Sequence, residues 1–157
     1  MDTFISNSPE ETFGLGRRWA AELRPGWVVG LTGDLGSGKT QLVKGLAAGL
    51  GIPATVTSPT FALLQEHDDG TLPLAHIDLY RLESQQEIVS AGLEHYLTTP
   101  DGVTAAEWFE RWLGGNWQPG QPLPESAKPA DGQVLRLVHL ADEGETKRKI
   151  FHEDFSD

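Results

Sequence analysis

Residues 27–40 of the chain read WVVGLTGDLGSGKT, an apolar run that leads into a glycine-rich segment ending in lysine and threonine. The run from Trp27 to Thr32 is short, continuous and bounded by glycine, which is typical of a buried parallel strand. Residues 39–50 carry leucine, valine and alanine at helical spacing, and glycine and proline follow them. The stretch therefore predicts a strand, a glycine-rich turn and a helix that begins near Lys39.

The glycine-rich turn matches the pattern G-x-x-x-x-G-K-[ST], whose backbone wraps a phosphate. Wrapping needs backbone angles that only glycine adopts cheaply, and the helix that follows directs free N–H groups and its positive dipole end at the same anion. Lys39 adds a mobile cation for the β- and γ-phosphates, and the hydroxyl of Thr40 is placed to ligate Mg²⁺. The predicted nucleotide-binding residues of this segment are Gly33, Asp34, Leu35, Gly36, Ser37, Gly38, Lys39, Thr40 and Gln41.

Two further apolar runs each end in an acidic residue. Residues 74–78 end in Asp78, and residues 103–107 end in Glu107. Because the carboxyl ends of parallel strands converge on the ligand crevice, both acids are candidate catalytic and metal-binding residues. One would hold Mg²⁺, directly or through water, and the other would orient the attacking water; the spacing leaves both assignments open. His76 is interpreted as structural, because no third metal ligand accompanies it.

A loop between the phosphate-binding helix and the next strand has the sequence Thr57-Ser58-Pro59-Thr60. Several nucleotide switches place a threonine here to sense the γ-phosphate, so Ser58 and Thr60 are candidate switch residues. Such a loop would couple the nucleotide state to the shape of the surface. An ordinary Ser/Thr/Pro loop is the alternative interpretation.

Capping patterns predict two more helices. Ser8 and Glu11 form a capping box that opens a first helix, and Ser84 and Glu87 repeat the pattern. Residues 114–132 are rich in proline and glycine, which predicts a long and flexible loop.

The remaining strands follow from short apolar or alternating runs. These lie at residues 61–66, 72–79, 102–108, 134–140 and 147–152. A tight turn is predicted to join the first two as an antiparallel hairpin, and the last two form another. Together the elements predict one domain over residues 1–157 of the α/β class. Its P-loop NTPase-like, mostly parallel central sheet would have antiparallel edge strands and helices on both faces.

The composition restricts the function. The chain has 12 basic and 23 acidic residues, a net charge of −11, which argues against phosphate-tracking contact with nucleic acid and against anionic membranes. It has no cysteine, which excludes disulfides, cysteine-ligated zinc and thiol catalysis. The start of the chain lacks a basic and apolar leader, so we expect a cytoplasmic protein with no membrane partner.

Four blocks, in this order and spacing, resemble the TsaE family (formerly YjeE) of bacterial tRNA threonylcarbamoyladenosine biosynthesis ATPases. They are the phosphate-binding segment 33–40, Ser58-Pro59-Thr60-Phe61, the run HIDLYRL at residues 76–82, and Glu107-Trp108. The resemblance covers essentially the whole chain. The chain departs from the family at Phe109, where proline is usual.

The resemblance implies a small P-loop ATPase that binds ATP or ADP with Mg²⁺ and hydrolyses weakly until its partners stimulate it. The implied partners are TsaD and TsaB, which install threonylcarbamoyl on adenosine 37 of tRNA, so that this chain would meet tRNA only through them.

The resemblance also implies roles for individual residues. Lys39 would contact phosphate, Thr40 and Glu107 would ligate Mg²⁺, and Asp78 would be essential for hydrolysis. The nucleotide pocket would be closed by the start of the first helix and by a late basic residue. In this chain these are Ser8 and either Lys147 or Arg148.

The same phosphate-binding segment also occurs in proteins with three other functions, and the rest of the sequence argues against each of them. A small-molecule kinase would need an arginine-bearing lid, and the candidate lid at residues 114–132 contains no arginine. A nucleotide-gated binding module that never hydrolyses would not need two acids at strand ends. A GTPase is disfavoured because the chain has no Asn-Lys-x-Asp motif.

Overall fold

The computed structural model of the chain describes residues 2–53, residue 56 and residues 63–156. Within them, one sheet is built from seven strands: β1 (Asp2–Ser6), β2 (Trp27–Thr32), β3 (Leu64–His67), β4 (Leu74–Asp78), β5 (Val103–Glu107), β6 (Val134–Asp142) and β7 (Arg148–Ser156). Their spatial order is β1-β7-β6-β2-β5-β4-β3. The four central strands, β6, β2, β5 and β4, run parallel, and the strands outside them pair antiparallel. The predicted sheet is confirmed.

Helices cover both faces of this sheet. They are α1 (Pro9–Trp19), α2 (Lys39–Gly49), α3 (Gln85–Ser90), α4 (Glu94–Thr98) and α5 (Glu110–Leu113). The helices α1 and α2 share one buried cluster with Val29 and Leu31, whereas α3, α4 and α5 share another with Val28. Successive residues of β2 are therefore buried on opposite faces, which explains why that strand is apolar without alternation.

The first helix lies directly against the phosphate-binding helix. A Cβ atom added to Gly45 of α2 would lie 2.1 Å from the carbonyl oxygen of Phe13 in α1, so only glycine permits this approach. The predicted cap of α1 is confirmed, because the hydroxyl of Ser8 accepts a hydrogen bond from the N–H of Glu11 at 3.1 Å. The position of α1 thus depends on α2, and both helices cover the same side of the sheet.

Two elements escaped the sequence analysis. The strand β1 pairs with β7, in a register that runs from Asp2 opposite His152 to Ser6 opposite Arg148. It is too short for a periodic pattern to identify. The helix α4 is equally short and has no side-chain cap.

The predicted hairpin of β3 and β4 is antiparallel, but its turn is not tight. The connection spans residues 68–73 and is held by Thr71, whose N–H and hydroxyl both donate to the carbonyl oxygen of Leu50. The connection is therefore shaped by the end of α2 rather than by a local turn. Residues 61 and 62, at the start of the predicted strand, lie outside the described residues.

The segment 114–132 packs partly against the sheet. Leu123 and Ala127 are buried in the cluster of α3, α4 and α5, and a short 3₁₀ turn forms at Glu125–Ala127. The flexibility of this segment stays a prediction, as does the single-domain assignment. In the described part of the chain, no helix combines the length and apolar character needed to span a bilayer.

Candidate nucleotide-binding site

The glycine-rich segment 33–38 joins the end of β2 to the start of α2, as predicted. Gly33 has a φ of +140°, and a Cβ atom there would lie 2.5 Å from the carbonyl oxygen of Leu140. Gly38 stands at the N-cap of α2 with a φ of +104°. Both positions need glycine on conformational grounds, and both shape a loop that opens towards the N-terminus of a helix.

Lys39 is held inside this loop. Its Nζ donates hydrogen bonds to the carbonyl oxygens of Gly33 at 2.6 Å and Asp34 at 2.9 Å, and the residue is only 4% exposed. Burial lowers the pKa of Lys39, and the carboxylates that oppose this shift are Glu110, Glu107, Asp78 and Asp34. The buried ammonium group therefore lies beside the phosphate-binding backbone, where the charges of these four carboxylates act on it.

The two strand-end acids lie next to each other. Asp78 and Glu107 are register partners at the carboxyl ends of the parallel strands β4 and β5, and both are buried. Oε1 of Glu107 accepts a hydrogen bond from the hydroxyl of Thr40 at 2.7 Å. Oδ1 of Asp78 accepts one from the N–H of Tyr80 at 2.9 Å. Both carboxylates thus stand at the same end of the sheet as the phosphate-binding loop.

His76 also contacts the site, through Glu107. Its Nε2 lies 2.5 Å from Oε2 of Glu107, and the imidazole is fully buried. The sequence analysis interpreted His76 as structural, because no third metal ligand accompanies it. The contact with Glu107 depends on which strand lies beside β4, and that is a property of the tertiary fold.

Glu110 is a further acidic residue that sequence reasoning missed. Its Oε2 accepts a hydrogen bond from the N–H of Gly33 at 3.1 Å, and its Oε1 is buried without a hydrogen-bond partner among the described residues. Burial raises the pKa of Glu110, against the opposing effects of the Gly33 hydrogen bond and the charge of Lys39. Its only sequence signal is its place at the start of α5, three residues after Glu107.

Trp108 has an unusual backbone conformation beside the site. Among the described residues it is the only non-glycine residue with a left-handed φ, at +58°. Its ring lies 4.0 Å from Nζ of Lys39, measured to the ring centroid, and 4.9 Å from the ring of Tyr80. This strained turn after β5 places an aromatic wall over the phosphate-binding lysine.

A cleft of about 490 Å³ opens over these groups. Its lining includes the predicted residues 35–41, Asp78 and Glu107. Of the other lining residues, Leu63, Tyr80 and Arg81 were not predicted at the site, whereas the resemblance implies that Trp108 packs beside it.

The other predicted site residues lie around the cleft or outside the description. Nη2 of Arg148 donates a hydrogen bond to the carbonyl oxygen of Gly36 at 3.1 Å, so this residue contacts the loop from β7. The described residues that line the cleft do not include Ser8, Gly33, Asp34 or Arg148. The candidate switch residues Ser58 and Thr60 lie outside the described residues.

The donors at the end of the cleft fit a magnesium ion. In residues 2–53, 56 and 63–156, no group of three or more His, Asp or Glu residues is arranged as a metal cage. Mg²⁺ does not require one, since proteins usually bind it through one or two carboxylates together with phosphates and water. The hydroxyl of Thr40 and the carboxylates of Glu107 and Asp78 are oxygen donors of this kind, and they adjoin the loop.

A loop of this shape between a buried parallel strand and a helix defines a class of protein, the P-loop NTPases, and the chain has their fold. The family model described as "Threonylcarbamoyl adenosine biosynthesis protein TsaE" matches residues 6–150. The chain belongs to the TsaE family.

Several curated relatives carry the name "tRNA threonylcarbamoyladenosine biosynthesis protein TsaE". The protein of Bacillus subtilis is 48% identical over 101 residues, which are 64% of this chain and 62% of that protein. That of Nostoc is 48% identical over 65% of this chain and 64% of its own length. The protein of Aquifex aeolicus is 33% identical over 94% of this chain and 93% of its own length.

A solved structure shares the fold over nearly the whole chain. The crystal structure of YdiB from Bacillus subtilis superposes with a TM-score of 0.69 at 32% sequence identity, covering 98% of this chain and 83% of that protein.

Proposed function

We propose that the protein binds ATP with Mg²⁺ at residues 33–41 and hydrolyses it slowly. This reaction would serve the threonylcarbamoylation of adenosine 37 in tRNA. The observation that carries the proposal is the contact between Thr40 and Glu107. The hydroxyl that follows the phosphate-binding lysine lies 2.7 Å from a carboxylate at the end of the neighbouring strand β5. A binding module without hydrolysis would not need the second acid, Asp78, beside this pair.

In this proposal the loop and α2 bind the polyphosphate. The N–H groups between Gly36 and Thr40 surround it, and the dipole of α2 adds a favourable field. Lys39 would exchange its contacts with the carbonyl oxygens of Gly33 and Asp34 for contacts with phosphate oxygens. Because Lys39 is already buried beside the loop, little side-chain freedom would be lost in that exchange.

The strand-end acids would divide the remaining work. Glu107, which is hydrogen-bonded to Thr40, would hold Mg²⁺ together with the Thr40 hydroxyl. Asp78 would contribute a further oxygen ligand or orient the attacking water. When bound, Mg²⁺ would neutralise part of the negative charge of the phosphates. Trp108 would exclude bulk water from the lysine beneath its ring. Gln41 lines the cleft one residue beyond Thr40 and would contact the nucleotide as well.

The family and the net charge support the proposed partners. A net charge of −11 opposes direct binding to tRNA, so the protein would act through the modification proteins TsaD and TsaB. At the mouth of the cleft, Leu35 is 82% exposed and Tyr80 is 50% exposed, and both are suited to contact a protein partner. A role in tRNA modification would place the protein in the cytoplasm.

Calorimetry and ATPase assays on matched lysine variants test the proposal. Lys39→Ala should weaken Mg²⁺–ATP binding by about tenfold to a hundredfold, since a charge-assisted hydrogen bond contributes about 1.5–3 kcal/mol. Lys44→Ala makes the same charge change on the same helix, outside the lining of the cleft, and should bind like the wild type. Turnover should rise when TsaB, TsaD and tRNA are added. Unchanged binding by Lys39→Ala, or partners that neither bind nor stimulate, would contradict the proposal.

A further inference from the structure

His76 and Glu107 form a diagonal pair across two neighbouring strands. His76 lies opposite Ala105 in the parallel register of β4 and β5, and Glu107 is two residues further along β5. Residues two apart on a strand share a face, and diagonal neighbours are within reach of a long side chain. The methyl side chain of Ala105 leaves room for the imidazole to reach along β5, and Nε2 ends 2.5 Å from Oε2 of Glu107.

The contact determines which nitrogen of His76 carries the proton. An ionised carboxylate only accepts hydrogen bonds, so Nε2 must be the donor. Nδ1 is buried and has no hydrogen-bond partner among the described residues. The imidazole is fully buried, so this one hydrogen bond fixes its orientation.

The two oxygens of Glu107 are thereby given separate tasks. Oε2 is held by His76, and Oε1 is held by the hydroxyl of Thr40 at 2.7 Å. A carboxylate that is held at one oxygen cannot rotate freely, so the other oxygen keeps its direction towards the phosphate-binding loop. Loss of a group that orients a metal ligand in this way usually lowers the affinity of the site for the metal.

We propose that His76 is a positioning residue, which fixes the carboxylate of Glu107 so that Oε1 is presented to Mg²⁺ beside Thr40. The inference rests on the proposed function, because it concerns the magnesium site of the same cleft. It differs from a purely structural role, in which His76 would only fill space between the sheet and the helices α1 and α2. A space-filling residue affects the stability of the fold but not the Mg²⁺ dependence of nucleotide binding.

Two amide variants separate positioning from packing. In His76→Gln the amide nitrogen lies near the place of Nε2 and can still donate to Glu107. In His76→Asn the same amide group is too short to reach it. Both variants bury an uncharged amide at the same position, so both should lose similar stability. A change of Ile77→Val, on the same strand but on the opposite face, is the control for a small packing defect.

The measurement is the Mg²⁺ concentration that half-saturates ADP binding, followed by calorimetry at fixed ADP. His76→Asn should require about ten to a hundred times more Mg²⁺ than the wild type, whereas His76→Gln and Ile77→Val should stay within about threefold. Binding of ADP in EDTA should be the same for all four proteins. Equal Mg²⁺ requirements for the two amide variants would overturn the inference. Absence of nucleotide binding by the wild type would instead overturn the proposed function.

A second measurement does not depend on nucleotide or on any variant. In the folded protein labelled with ¹⁵N-histidine, the His76 resonances should show a protonated Nε2, as the hydrogen bond to Glu107 requires. A ring that carries no proton on Nε2 would overturn the inference. The Glu107→Ala variant should shift the Nε2 resonance of His76, since the acceptor is lost. An unchanged Nε2 resonance would also overturn the inference.

Discussion

The backbone N–H of Gly33 donates a hydrogen bond to Oε2 of Glu110, 3.1 Å away, which ties the first residue of the phosphate-binding loop to helix α5. Phe109, the residue before Glu110, makes a second hydrogen bond of this kind: its N–H donates to the carbonyl oxygen of Leu31 at 2.9 Å. The turn after β5 therefore holds both the end of β2 and the start of the loop. A proline at position 109 would have no N–H and could not make the second hydrogen bond.

We expect Glu110→Gln to change the pH dependence of stability. Burial raises the pKa of Glu110, so the folded state binds this proton more tightly than the unfolded state does. The contribution of Glu110 to the free energy of unfolding is thus fully present below its ordinary pKa and is lost as the pH rises through the raised pKa. The check is urea denaturation over a pH series. Between the ordinary and the raised pKa of Glu110, the free energy of unfolding of Glu110→Gln should rise relative to that of the wild type. Above the raised pKa, the difference between the two proteins should stay constant.

The variant Glu110→Ala separates the charge from the hydrogen bond. It removes the acceptor as well and leaves the N–H of Gly33 without it, so it should be less stable than Glu110→Gln at every pH. Superimposable pH profiles for the wild type and Glu110→Gln would contradict the raised pKa.

We expect Gly30→Ala to be destabilising, because a Cβ atom there would lie 2.6 Å from the ring of Phe109. Overpacking of this kind costs about 1–3 kcal/mol. In a Phe109→Ala background, which itself loses about 3–5 kcal/mol, the cost should vanish because the ring is absent. Chemical denaturation of the four proteins in this cycle measures the coupling. Gly115→Ala, with no atom within 4 Å of the added Cβ, is the matched control, and additive effects would disprove the contact.

We expect Arg148→Ala to weaken ADP binding about threefold to tenfold, because the loop loses the hydrogen bond from Nη2 to the carbonyl oxygen of Gly36. Lys149→Ala, an exposed residue on the same strand, makes the same charge change and should have little effect. Calorimetry at low and moderate salt distinguishes the two explanations. If both variants weaken binding equally, net charge rather than the contact with Gly36 is responsible.

We expect Ser8→Ala and Ser84→Ala to cost about 1 kcal/mol of stability each, since each hydroxyl caps a helix by accepting from the N–H three residues on. The two variants are therefore matched for their effect on folding. If Ser8 contacts the nucleotide, only Ser8→Ala will also lower the affinity for ADP. Equal affinities in the two variants would show that Ser8 is a helix cap and nothing more.

The sequence was sufficient for those parts of the fold that local pattern determines. The strand, loop and helix around Gly33 and Lys39 follow from apolar runs and glycine spacing, and the cap at Ser8 follows from a four-residue signature. The turn between β3 and β4 was predicted wrongly because its shape depends on a hydrogen bond from Thr71 to the distant residue Leu50.

The site was predictable only in part for the same reason. Asp78 and Glu107 could be proposed from their places at strand ends, since parallel strands share an end. The contacts of His76 and Glu110 required knowledge of which strand lies beside β4 and of how α5 turns back on the loop. No period or motif in a single sequence carries that information.

The sheet order has a consequence for the synthesis of the protein. A ribosome delivers β1 and β2 first, yet β1 pairs with β7, and β2 lies between β5 and β6. The nascent chain cannot close its sheet until its last strands have emerged, and its earliest apolar strand waits without neighbours. Such long-range pairing slows folding, and strand edges left unpaired meanwhile attract other chains. Aggregation of the partly made chain is therefore a hazard that this topology carries during translation.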